Sequence, residues 1–495
     1  GFALLVAVTT APYLWSLWRP PPGTEFTGIF YYRDDFYQYV SFAEQVRDGA
    51  LLFRNKFDPA RLEPVLVNLE WWAAGALGRM LGGPVAGFHA LRLFALFALV
   101  AGAVRVFTLG GLSGARRAWA LTLFLSAGGL GWLRLLTGTP GWQIPDIAMG
   151  FYPFHQSLTN AHFVVGTALL IWSLVLLLEW RAGRRGALAW LATAGVLGLC
   201  RPYDLVTFTL VALALCAMDA ARRETRAAGV RRALPLVWLV PVFAYYALLV
   251  GGHPSFQTWG GQTMDLSPPR YQYVFALLPT AAVWALLALR RPGRAVAAAP
   301  VRQALLAWWL VLAVLLVALR SALTKQSVIT MGAAMLLLAG LEIPRRWLPA
   351  TALVAAPTSV FLLWRLFNPW PDCFAPPEYF QATRALAAAC SPHDVAVAPT
   401  DLSLMIAGLT PCSVTLGHRT LTPDYETRLR EGDRFYHGPA VPAAWRLAYL
   451  ERSAARFVVL PAGGGPMLGP DPPYGAILRT RLLEVWERGG GGEPR

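Results

Sequence analysis

The sequence predicts an α-helical, multi-pass membrane protein of about eleven transmembrane helices with a C-terminal α/β domain outside the cytoplasm. Three observations predict it. Hydrophobic residues make up 56% of the 495-residue chain and charged residues only 14%, far below the roughly 25% of soluble domains. Several apolar runs reach the ~18 residues needed to cross a bilayer. The cations are nearly all arginines, bunched in short turns between those runs: Arg116-Arg117, Arg181 with Arg184-Arg185, Arg222 through Arg232, Arg290-Arg291-Arg294 and Arg345-Arg346. That is how positive charge marks the cytoplasmic side of a membrane protein.

Membrane spans are expected near 1–18, 84–106, 118–136, 161–180, 187–200, 203–219, 233–250, 273–290, 303–320, 326–341 and 347–367. With residue 1 inside, every arginine cluster falls in a cytoplasmic turn. The connections 19–83, 137–160, 201–203, 251–272 and 321–325, and the tail from 368, fall outside. Residues 1–18 read as a retained helix, because "LWSLWRPPPG" follows them rather than a small-residue cleavage site. A multi-pass protein of the plasma (inner) membrane results, with membrane lipids as its surroundings. The formal net charge of +15 follows the turns, so nucleic acid is not an expected partner.

Composition divides the chain into a transmembrane region, 1–367, which includes the long first outer loop 19–83, and a tail, 368–495. In the tail the short apolar runs "DVAVAP", "CSVTL" and "RFVVL" alternate with helical stretches such as "PEYFQATRALAAAC" and "PAAWRLAYLERSAA". That alternation predicts a small α/β domain with a mostly parallel sheet. Cys200 and Cys216 sit in apolar runs as packing residues. Cys373, Cys390 and Cys412 lie in the tail and allow one disulfide, without saying which.

The first outer loop contains "YYRDDFYQYVSFAEQVRDG", residues 31–49. Phe36, Val40, Ala43 and Val46 recur at the spacing of one helical face, with Gln38, Glu44, Gln45 and Asp48 on the other. Gly49 suits the C-terminus. Asp34 and Asp35 then lie at the helix N-terminus. An aspartate there is a favoured cap, but a second adjacent one is not needed for capping. Two carboxylates at the membrane surface suit a general base or the binding of a divalent cation.

A paired acid opening the first outer loop, followed by an aromatic and a helix ending in "DG", resembles the GT-C glycosyltransferase superfamily. Its members include protein O-mannosyltransferases, lipid A aminoarabinose transferases and the catalytic subunits of oligosaccharyltransferases. The motif of those families resembles "DE..Y...A....G". It maps onto Asp34, Asp35, Tyr37 or Tyr39, Ala43 and Gly49, with Asp in place of Glu as the second acid. No sequon-reading motif accompanies it, so the acceptor is open. The resemblance extends to the span count, the small inter-helix turns and the outer C-terminal domain. It implies an inverting glycosyltransferase with a polyprenyl-phosphate sugar lipid as partner, and Asp34 and Asp35 as catalytic residues.

A lipid phosphate calls for arginine or lysine. Arg320 and Lys325 in "LRSALTKQS" are the first candidates, against snorkelling cations. Arg201 in "LCRPYDLVT" is another, against a local ion pair with Asp204. The loop "GWQIPDIAMGFYPFHQSLTNAHF" offers Asp146, His155 and His162 as metal ligands that, with Asp34, would hold a divalent ion, against interfacial histidines. The Gly- and Pro-rich stretch "GGHPSFQTWGGQTMDLSPPR" reads as a lid with His253 and Asp265 as substrate contacts. In the tail His418 and Arg419 follow an expected strand, where open α/β sheets bind ligands. Two rivals are a non-catalytic GT-C-shaped subunit that binds or assembles envelope polysaccharide or lipid-linked sugar, and a transporter. The latter needs ionisable residues in mid-span, and Arg92 and Arg134 lie near span ends.

Overall fold

The computed structural model describes residues 2–60, 62–133, 144–263, 268–290, 299–319, 321–438 and 441–489. It divides into two compact units. A helical unit comprises Gly1–Pro12, Leu91–Leu248 and Met264–Asn368. A second unit, called outer here after the topology expected from the arginine clusters, comprises Tyr13–Ala90, Leu249–Thr263 and Pro369–Arg495. The first outer loop therefore packs with the tail, a grouping that composition does not reveal.

Helices long and apolar enough to cross a membrane run over Pro84–Leu109, Ala161–Arg181, Pro202–Ala220, Arg223–Gly252, Ala299–Ala318 and Leu323–Glu342. A seventh is the pair Leu348–Ala355 and Pro357–Phe367, bent by 43° where Pro357 interrupts the backbone ladder. Seven expected spans thus correspond to candidate spans. At the other four the helices among the described residues are shorter or broken. Phe2–Trp18 has 17 residues with Pro12 inside it, and Ala187–Cys200 has 14. Gly114–Ser126 stops well short of 136, and Pro279 separates Arg270–Leu277 from Thr280–Arg290.

Two of the arginine clusters are partnered by acids. Glu179 receives Arg105 Nε at 2.7 Å and Arg185 Nε at 2.5 Å, and Asp219 receives Arg181 and Arg232, each at 2.7 Å. Each acid stands near a helix C-terminus, so the arginines also meet the negative end of a helix dipole.

In the outer unit, β1 (Glu25–Phe26) pairs antiparallel with β2 (Phe374–Ala375). The main sheet contains β3 (Val395–Val397), β4 (Ser413–Val414), β5 (Phe457–Pro461), β6 (Tyr474–Arg479) and β7 (Leu483–Arg488), in the order β4-β3-β5-β7-β6. The three strands read from sequence are β3, β4 and β5, and they pair in parallel. The sheet as a whole is mixed rather than mostly parallel, because a β6–β7 hairpin adds antiparallel to β5. Val397, Phe435, Tyr449, Leu450, Val458 and Leu460 form the core between sheet and helices.

The disulfide joins Cys390 to Cys412, and Cys373 stays a buried thiol. The bridge ties β4 to the end of the Pro377–Ala389 helix and encloses β3 and the Thr400–Leu409 helix, a separation of 22 residues. Closing a loop of that size stabilises by roughly 3 kcal/mol. Cys390→Ser together with Cys412→Ser is expected to lose about that much, read as a lowered unfolding midpoint of the purified protein. An unchanged midpoint would show that packing alone holds this edge.

Candidate functional site

The paired acids are not caps. The helix runs Arg33–Arg47, and its N-cap is Tyr32, whose side chain makes no cap hydrogen bond. Asp34 and Asp35 are therefore the second and third helical residues. At the other end Gly49 N–H donates to Val46 O at 2.9 Å and Ala50 N–H to Gln45 O at 2.9 Å. Gly49 has φ 96°, so the helix closes in a Schellman turn that needs a left-handed residue. The expected apolar face is buried: Phe36, Val40, Ala43 and Val46 are all at most 3% exposed. The expected polar face is buried too at Glu44 and Gln45. The loop returns over it, and Gln45 pairs with both backbone groups of Arg54, at 3.0 and 3.2 Å.

Close backbone approach sets this helix in place. A Cβ on Gly75 would lie 2.5 Å from Val46 Cβ, and one on Gly408 would lie 2.6 Å from a ring carbon of Tyr37. The Leu69–Leu81 helix and the Thr400–Leu409 helix of the tail thus flank it. Arg33 pairs with Asp401 in the first turn of the latter and donates to Asp372 O at 3.2 Å.

His418 reaches the acids from the tail. Its Nε2 lies 3.1 Å from Asp35 Oδ1. Thr420 N–H donates to His418 Nδ1 at 3.1 Å. A backbone N–H can only donate, so Nδ1 carries the lone pair and the ring proton sits on Nε2, donating to Asp35. The ring is 3% exposed and tilts against Phe57 at 5.6 Å. Asp34 is half-buried and accepts no hydrogen bond among the described residues. Burial raises its carboxyl above the ordinary 3.8, Asp35 and Asp401 push the same way, and His418 and Arg33 oppose. Tyr425, the first residue of the Tyr425–His437 helix, lies in the field of Asp34, and burial raises its hydroxyl above 10.0.

Two strained residues border these groups. Tyr32 has φ 55° and Asp424 has φ 51°, and among the described residues the only other non-glycine with positive φ is Ala454. A tyrosine in that region costs of order 1–3 kcal/mol, and such strain gathers at functional sites.

The remaining candidates fall as follows. Arg419 is exposed and faces Glu426 at 3.7 Å. His253 stands at the break before the Pro254–Thr263 helix, a helix where a loop was expected; Gln262 at its far end donates to Thr422 O at 3.3 Å. Asp265 and Arg320 lie outside the described residues.

In the helical unit, Arg201 is fully buried, 2.6 Å from Asp204 Oδ2, and donates to Gln326 O at 3.3 Å. A Cβ on Gly166 would fall 2.0 Å from Arg201 Cδ, so only glycine admits the pair. This is the local ion-pair alternative, set directly beside the segment that carries Lys325. Lys325 is half-buried on the Ala322–Ser327 helix, whose N-cap Ser321 accepts from Thr324 N–H at 3.2 Å.

Asp146 Oδ2 accepts from Gly129 N–H at 2.9 Å and Gly131 N–H at 3.0 Å, and burial raises its carboxyl to about 7. Burial lowers the His155 imidazole to about 4, and His162 is buried. Among the described residues no three His, Cys, Asp or Glu side chains come together to hold a metal. Within the helical unit Asp146, His155 and His162 therefore form no such group, and Asp146 is engaged by backbone amides instead; Asp34 belongs to the other unit. Arg33, Asp401, Thr420 and Tyr425 escaped sequence reasoning. Only Arg33 had a signal, as the cation beside the paired acids.

Solved structures with the same architecture include the ArnT of Cupriavidus metallidurans bound to undecaprenyl phosphate, at 14% identity and TM-score 0.56 over 100% of this chain and 99% of that one. Its apo state matches over the same extents at 15% identity and TM-score 0.56. The chain shares the fold of this ArnT. The same fold is seen in the oligosaccharyltransferase AglB of Archaeoglobus fulgidus, solved with an inhibitory peptide and a dolichol-phosphate. That match has 10% identity and TM-score 0.52, over 100% of this chain and 74% of that one. No protein-family model and no curated protein matches the chain. Within this fold, the paired acids read from sequence lie in the 19–83 segment, packed with the C-terminal sheet domain.

Proposed function

We propose that the protein is a membrane glycosyltransferase that moves a sugar from a polyprenyl-phosphate-linked donor to an acceptor at the outer face of the membrane. The observation that carries this reading is Asp34: a half-buried carboxylate, unused as a cap, free of hydrogen bonds among the described residues, with its pKa raised. A base is most effective when its pKa rises toward the working pH. The acceptor hydroxyl oxygen attacks the anomeric carbon and its proton passes to Asp34. The bond from that carbon to the phosphate oxygen breaks, and its electron pair leaves with the polyprenyl phosphate. Attack opposite the leaving group inverts the anomeric centre.

Solved proteins of this fold hold undecaprenyl phosphate or a dolichol-phosphate, which supports a lipid-phosphate donor. The Cys390–Cys412 disulfide supports an extracytoplasmic outer unit, because such bonds persist in oxidising compartments. Within the helical unit Lys325 is our candidate for the donor phosphate, with Arg320 beside it in sequence. Arg201 serves by fixing the Lys325 segment through Gln326.

The test is release of polyprenyl phosphate from a panel of sugar-phosphate lipids by the purified protein, with mass spectrometry of co-purified lipids. Lys325→Ala is expected to weaken binding of the lipid phosphate by roughly 1.5–3 kcal/mol, about tenfold to a hundredfold. Unaltered lipid affinity would reduce Lys325 to a snorkelling cation.

A further inference from the structure

We propose that His418 is a positioning residue that locks Asp35 in one rotamer and so assigns the two adjacent acids different tasks. Asp35 becomes the fixed anion and Asp34 the free proton acceptor. The inference rests on the transferase reading above.

Asp34 and Asp35 share the first turn of one helix, and the turn alone does not distinguish a base from a fixed anion. Here the symmetry is broken from the tail. The segment after β4 is held close to the first outer loop: a Cβ on Gly417 would lie 2.8 Å from a ring carbon of Phe57, and Val414 N–H donates to Lys56 O at 2.8 Å. A tight turn follows, with Thr422 N–H donating to His418 O at 2.9 Å. Inside that turn Thr420 N–H occupies Nδ1, Phe57 covers the ring, and the remaining ring N–H points at Asp35 Oδ1. The imidazole thus has one tautomer and one orientation, and its only function-bearing atom is Nε2. Asp35 remains 38% exposed on its other side. It can hold its charge in water while one oxygen is pinned. Asp34, one residue earlier on the helix, receives no such bond among the described residues. Fixing a neighbour's tautomer and direction through a buried partner is how an outer-shell residue acts on a reaction without touching the substrate.

Glutamine and asparagine separate this role from packing. The glutamine amide nitrogen sits where Nε2 does and still reaches Asp35. The asparagine amide sits where Nδ1 does and can satisfy Thr420 only. His418→Asn is expected to lower kcat about tenfold to a hundredfold with KM for the lipid donor little changed, and His418→Gln to recover most of the loss, at unchanged melting temperature. The opposite order, asparagine active and glutamine not, would overturn the proposal and leave a turn-stabilising histidine. An independent arm needs no turnover. With 15N-labelled histidine, the His418 signals, assigned by their loss in His418→Gln, should show a bare Nδ1 and a protonated Nε2 that shifts on Asp35→Asn. A protonated Nδ1, or an Nε2 indifferent to Asp35→Asn, would also overturn it. If wild-type protein releases no polyprenyl phosphate from any donor while the 15N pattern is as expected, the transferase reading falls and the His418–Asp35 lock stands.

Discussion

Asp34→Asn is expected to slow sugar transfer by about a hundredfold to ten-thousandfold while the protein folds normally. The two halves of that expectation have separate causes. Asparagine keeps the size and polarity of the side chain but cannot accept the hydroxyl proton at neutral pH. Folding is spared because Asp34 neither caps the helix nor accepts a hydrogen bond among the described residues. The loss is its interaction with the helix dipole, about 0.3–1 kcal/mol. Removing a half-buried charge offsets part of that. The wild type should also show an acidic limb in its rate profile. Asp34 acts only when ionised, and burial raises its pKa above 3.8. Activity therefore falls as pH drops through a value above that of an ordinary aspartate, and Asp34→Asn should lose the limb. Transfer at the wild-type rate by a folded Asp34→Asn would remove the catalytic assignment. Asp35→Asn should cost less in turnover if its part is electrostatic.

The paired acid was legible because two adjacent carboxylates at a helix start exceed what capping requires. Its surroundings were not. His418 stands 383 residues from Asp35, and Asp401 stands 368 from Arg33. No periodicity connects such positions; only the return of the outer loop against the tail does. His418 itself was legible as a residue after a strand, yet its direction depends on the Thr420 amide, which any residue there except proline would supply. Seven spans were legible from apolar length; three others are shorter helices, and 273–290 is split because a hydropathy window does not register Pro279 as a break. The β6–β7 hairpin was missed because "YGAILR" and "LEVWER" carry charges at their ends and follow a Gly- and Pro-rich stretch. The lid, read from glycine and proline content, is helical over Pro254–Thr263; its helix starts at a proline, a residue that suits a first turn.

Lys56 shows what a composition count passes over. It is one of two lysines in the chain, it is 1% exposed, and its ammonium donates to Thr410 O at the end of the Thr400–Leu409 helix. A carbonyl at a helix C-terminus attracts a cation, but burial dominates. Burial pushes the amine down from 10.5 to about 7, Arg54 pushes the same way, and Glu44 and Asp48 oppose. Below pH 7 both folded and unfolded chains carry the proton, and Lys56 adds no pH dependence. Between about 7 and 10.5 the unfolded chain keeps the proton that the native chain releases, so stability rises with pH; above 10.5 it levels off. The whole rise is on the order of 5 kcal/mol. Lys56→Met removes the buried charge and keeps the straight apolar stem, but leaves the Thr410 carbonyl without that donor, at about 1–3 kcal/mol. The variant is therefore expected to be more stable than wild type at neutral pH, by about 2–4 kcal/mol. It should be less stable above pH 10.5, where the neutral wild-type amine still donates its hydrogen bond. Melting temperatures of the two proteins measured across that range should cross. Parallel curves would mean that Lys56 keeps its proton in the folded protein and that water or an anion reaches it.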